Sequence, residues 1–99
     1  MSLPTLDDVA LRVLQLEPED QEALAYVHEQ LTWLAAADRV VPAAQPLVAA
    51  AVRALAPILR GTVDDPANAL GRVGRLMQSA VLAAEGGVRR RRARRSRTT

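Results

Sequence analysis

The sequence has no cysteine, no lysine and no phenylalanine. Without cysteine there is no disulfide framework, no thiolate metal site and no thiol chemistry. Tyr26 and Trp33 are the only aromatic residues, so the core has to be built from Leu, Val, Ile and abundant Ala, which favours close-packed helices over sheets. Every cation is arginine, which reads first as the mark of GC-rich coding and second as a preference for forked hydrogen bonding. No uninterrupted apolar run reaches the ~18–20 residues that span a bilayer. The N-terminus MSLPTLDDVALRVL carries acids early where a secretory signal would carry bases, so a cytoplasmic setting is expected. Ninety-nine residues allow one small domain. At this size only roughly 60–65% of the unfolded surface is buried, which implies modest stability.

The dominant apolar stretch is Pro42–Arg60, PAAQPLVAAAVRALAPILR, in which Arg53 is the only charge between Pro46 and Leu59. Its apolar side chains point in every direction, so the expectation is a central helix enclosed by the others. Ahead of it, Thr5 with Asp8 three residues on begins a first helix, whose stripe is Leu6, Val9, Ala10, Val13, Leu14 and Leu16. A second helix is expected from Pro18 to about Ala37, with Glu19, Asp20 and Glu22 near the positive end of its dipole. Within the third, Pro57 kinks the last turn or ends the helix at Ala56, and Gly61 is a natural C-cap. Asp65 followed by Pro66 is the clearest helix start in the chain, opening a fourth amphipathic helix to Glu85 that Gly86-Gly87 ends. Gly71 and Gly74 within it mark either close approach of a neighbouring helix or simple tolerance. Short connections between four helices argue for an antiparallel up-down bundle.

On the second helix, Leu24, Val27, Leu31, Leu34 and Ala35 share one side. Tyr26 and Trp33 fall together on the other, flanked by Glu22, Glu29 and Gln30. Packing against the first helix or a loop would account for the aromatics. So would a partner-binding patch, since Trp and Tyr on a polar face are typical interface anchors.

Little here supports catalysis. His28 is the single histidine, at the edge of the core stripe, with no second His and no Cys to complete a nucleophilic pair or a metal set. The early carboxylates are accounted for by capping and dipole effects. Gly71-Arg-Val-Gly74 does not match a phosphate- or dinucleotide-binding loop. No enzyme activity, cofactor or metal is expected. A histidine near the middle of a bundle helix, with the layout LEPEDQEAL…H…L followed by ILRGTVDDPANALGRVGRLM, resembles histidine-phosphotransfer domains and the helical modules of bacterial chemotaxis-type histidine kinases across roughly residues 6–85. The phosphotransfer signature places Lys and Gly three and four residues after its histidine, where this chain has Leu31 and Thr32. The resemblance therefore implies a helical signalling module and not phosphorylation of His28.

The charge is divided. Residues 1–87 hold all eleven acids against six arginines, −5, and residues 88–99 hold seven arginines and no acid, +7. Arg89, Arg90, Arg91, Arg92, Arg94, Arg95 and Arg97 repel one another and lack apolar neighbours, so this tail is expected to be disordered in isolation. It suits non-specific contact with nucleic acid, an anionic lipid surface or the acidic half of its own chain, and equally a solvated end or linker. No aromatic interleaves the arginines to stack on bases. The sequence thus reads as an all-α antiparallel four-helix bundle in residues 1–87 with a disordered basic tail in 88–99. Its expected core comprises Leu24, Val27, Leu31, Leu47, Val48, Val52, Leu55, Leu70, Val73, Met77 and Val81. Its expected role is non-enzymatic, a protein-interaction or adaptor module in bacterial signalling. The alternative is a nucleic-acid-associated protein held by its tail. A core this poor in large side chains also suits completion by a second copy.

Overall fold

The computed structural model describes residues 5–36 and 39–97, with side chains placed in 5–36 and 39–86. The fold is all-α: α1 is Leu6–Leu14, α2 Gln21–Ala35, α3 Gln45–Arg60 and α4 Pro66–Arg97. Local chemistry sets most of the boundaries. Thr5 Oγ1 accepts from the Asp8 amide at 3.2 Å and Asp65 Oδ1 from the Asn68 amide at 3.2 Å, each satisfying one of the donors a helix start leaves unpaired.

The start of α2 differs from the sequence expectation. Pro18 lies in a turn, and Asp20 is the cap, its Oδ1 accepting from the Ala23 amide at 3.1 Å. A carboxylate that satisfies an N-terminal donor fixes a helix start more firmly than a proline whose only qualification is its φ. Pro57 does not end α3. The helix runs on to Arg60 and closes at Gly61 in the left-handed conformation, φ 70°. The Pro57 carbonyl then accepts from the Thr62 amide at 3.1 Å and from Thr62 Oγ1 at 3.2 Å. Backbone helix in α4 continues through Gly86-Gly87, where the sequence places its end.

Each helix packs against its sequence neighbours and α1 also packs against α4, closing a ring; among the described residues the backbone of α1 does not closely approach that of α3, nor α2 that of α4. Asp7 lies with Glu85 at one end of the α1/α4 seam, and Leu16 and Pro18 lie with Ala67 and Leu70 at the other, so these two helices run in opposite senses. Gln45 Nε2 donates to the Ala35 carbonyl at 2.6 Å, tying the end of α2 to the beginning of α3.

The expectation that α3 is enclosed by three companions is corrected by this ring, in which it has two. Ala44, Val48, Ala51, Leu55 and Ile58 are buried on one face, and Leu47, Val52 and Leu59 flank them. Pro46, Arg53 and Arg60 face water, with Ala49, Ala50 and Ala56 half-buried between. Composition misleads here because α3 is amphipathic by size. Large side chains are turned inward, and an outward alanine exposes a single methyl whose transfer is worth under about 1 kcal/mol. Val9, Leu24, Leu31, Leu34, Leu55 and Met77 are among the fully buried side chains around which the four helices meet. Each large one contributes about 1.5–3 kcal/mol. Every expected core residue is buried or packed against the buried set.

Candidate docking groove between α1 and α4

A conspicuous surface feature lies on the α1/α4 seam. The apolar arc of α1 is wider than its two neighbours α2 and α4 cover: Val9 and Val13 are buried, while Leu11 and Leu14 remain 60% and 58% exposed. On α4, Val73, Met77 and Ala80 turn into the core and Leu82 is 66% exposed. Together these residues wall an apolar groove of about 520 Å³, floored by Ala10 and Val81 and rimmed by Asp7, Gln78 and Glu85. A second depression of about 280 Å³ continues it past Leu14 and Gly74 to Pro18 and Ala67, with Arg75 on its wall. One end of the groove is therefore acidic, and a cation lines the other.

Gly74 is buried beneath Leu14. A Cβ placed there would lie 3.5 Å from Leu14 Cδ2, an ordinary contact, and one at Gly71 would meet nothing within 4 Å. Of the two readings for these glycines, tolerance is the one the geometry fits.

The residues singled out on α2 are not held together as one open patch. Trp33 is half-buried against the core, with the Arg39 guanidinium 4.4 Å from its ring centroid. Tyr26 is 55% exposed, with the Arg12 guanidinium 5.9 Å from its ring. Glu22 and Glu29 are exposed. Gln30, expected on the polar face, is instead buried at 9% exposure, and its Oε1 has no hydrogen-bond partner. The physical reason is that α2 packs between α1 and α3 along an arc wider than the Leu24/Leu31 stripe, and Gln30 falls inside it. Arg12 Nη1 is likewise buried and unpaired. His28 is half-buried, and its carbonyl accepts from Thr32 Oγ1 at 2.8 Å. The side chains of Arg89, Arg90, Arg91, Arg92, Arg94, Arg95 and Arg97 lie outside the described set.

Among the described residues, no cluster of His, Cys, Asp and Glu is arranged to hold a metal ion, and no helix is long and apolar enough to cross a membrane. The groove was missed in the sequence, although a signal for it exists. Leu6, Val9, Ala10, Leu11, Val13 and Leu14 are more apolar residues than a single buried stripe can use. No family model matches this chain, and neither a curated protein nor a solved structure matches it.

Proposed function

We propose that this chain is a non-enzymatic helical interaction module whose α1/α4 groove receives the apolar face of a helix from a protein partner. The observation that carries the reading is the exposure of Leu11, Leu14 and Leu82 side by side along one groove. Scattered surface leucines need no explanation, whereas a contiguous apolar trough with a polar rim has the form of a helix-in-groove site. The resemblance to histidine-kinase-type modules makes signalling the setting in which to look for the partner. Tyr26 and Trp33 recede as anchors, because Arg12 and Arg39 already lie against their rings.

The test is site-specific photo-crosslinking from position 82, with position 53 on the outer face of α3 as control. Crosslinks to an identified polypeptide at 82 and not at 53, abolished by Leu11→Glu, support the module. Equal or absent labelling at the two positions rejects it. A second reading rests on the +7 balance of residues 88–99, which suits phosphate-backbone binding.

A further inference from the structure

Resting on the reading of the α1/α4 groove as a docking site, we propose that its occupant is an amphipathic helix of a different polypeptide, one that carries cationic side chains at both ends of its apolar stripe. The acids around the groove select that chemistry. Asp7 and Glu85 stand on the rim at one end. At the other, Glu17 and Glu19 flank Pro18, and Asp64 and Asp65 precede Ala67, all four of them exposed. Among the described residues, Arg75 is the one cation that lines either depression. Carboxylates therefore outnumber cations at both ends, and a guest helix with cationic ends sets opposite charge over each.

The dimensions suit a helix. The two depressions meet at Leu14 and Gln78, which line both. From Ala67 at one end to Glu85 at the other is eighteen residues along α4, or about 27 Å, which a guest of about five turns covers. Leu11, Leu14 and Leu82 wall the larger depression. Apolar side chains spaced three and four residues apart on the guest seat there, and its cations fall at the acidic ends. Apolar interior and charged rim is the usual anatomy of a specific interface.

The same charges disfavour the other occupants. An anionic lipid surface or a nucleic acid would bring phosphates against Asp7 and Glu85. A second copy would bring one body of −5, residues 1–87, against another, and would lay groove on groove with no helix entering either. Residues 88–99 of this chain are cationic, but Val88 and Ala93 are all they offer toward an apolar face. A cationic amphipathic helix matches both the apolar floor and the acidic ends.

The experiment is fluorescence anisotropy of three labelled alanine-rich helical peptides, each about five turns long, with the full chain at two salt concentrations. All three carry the same leucine stripe at helical spacing, and their ends carry lysine, glutamine or glutamate. The lysine peptide is expected to bind about tenfold tighter than the glutamine peptide at low salt, and the gap is expected to narrow as salt rises. Leu82→Glu is expected to raise its dissociation constant about tenfold or more, although the substitution adds an acid. Attraction by net charge alone would instead grow, so the direction of that change separates docking from simple attraction. Asp7→Asn with Glu85→Gln is expected to weaken the lysine peptide a few-fold and to leave the glutamine peptide unchanged. Circular dichroism checks that each exposed substitution keeps its helix. Leu82-dependent binding in which the glutamine or glutamate peptide equals the lysine peptide overturns the cationic occupant and leaves the module reading standing. Lysine-peptide binding that survives Leu82→Glu lies off the groove and overturns the proposal. So does a chain that sediments as a dimer and becomes monomeric on Leu82→Glu, since a second copy then fills the groove. If no peptide binds, the cationic helix is overturned and crosslinking from position 82 decides the module: an identified polypeptide there keeps it, and none rejects both.

Discussion

Arg39 lies over Trp33. Its guanidinium carbon is 4.4 Å from the ring centroid, and its Nη1 donates to the Trp33 carbonyl at 2.8 Å. One side chain therefore covers the indole and satisfies a carbonyl at the C-terminal end of α2, where the orphan acceptors of a helix and its negative dipole end favour a cation. The chain leaving α2 is thereby tied back onto it.

Replacing Arg39 with alanine is expected to lower stability by about 1–2 kcal/mol, from the ring contact and the hydrogen bond together. Trp33 is the only tryptophan, so its fluorescence reports the change directly. Emission should move to the red and acrylamide quenching should rise. Unchanged quenching would show that other residues cover the ring.

The two faces of α3 should respond very differently to substitution. Leu55 is fully buried, and Leu55→Ala is expected to cost about 2–5 kcal/mol in urea denaturation. Ala49 lies toward the outer face, half-buried, and Ala49→Gln should stay within about 0.5 kcal/mol of wild type. Comparable losses at both positions would mean that α3 is enclosed on all sides after all.

Neither glycine within α4 is required by its surroundings. Gly71→Ala and Gly74→Ala are each expected to raise stability by up to about 1 kcal/mol, since alanine loses less backbone entropy in a helix and both methyls find room. Thermal melts of the two variants check this. A destabilised Gly74→Ala with a stabilised Gly71→Ala would point to a tighter α1/α4 seam than the 3.5 Å approach of Leu14 implies.

Nucleic-acid binding, if it belongs to this chain, should depend on residues 88–99. A gel shift with the wild-type chain and with the seven tail arginines changed to glutamine, each at low and moderate salt, is expected to show a complex only for wild type. That complex should weaken steeply as salt rises. A complex that persists in the glutamine variant places the affinity elsewhere.

The sequence by itself determined the four helices and those of their ends that a local cap fixes. Thr5, Asp65 and Gly61 act through hydrogen bonds that reach only three or four residues along the chain, so their meaning is local and legible. The same holds for which residues of α2 and α4 turn inward, since helical periodicity assigns a face without reference to any neighbour. Periodicity does not say how many neighbours each helix has, and that is where reading stopped. The closing of the ring by α1 against α4 left α3 with two helices packed against it, the packing of α2 between α1 and α3 drew Gln30 into the core, and Arg39 folds back over Trp33, six residues before it. The closed ring also left Leu11, Leu14 and Leu82 uncovered. Whether an apolar side chain is core or surface depends on what stands opposite it, and that is a property of the packed helices and of no single one.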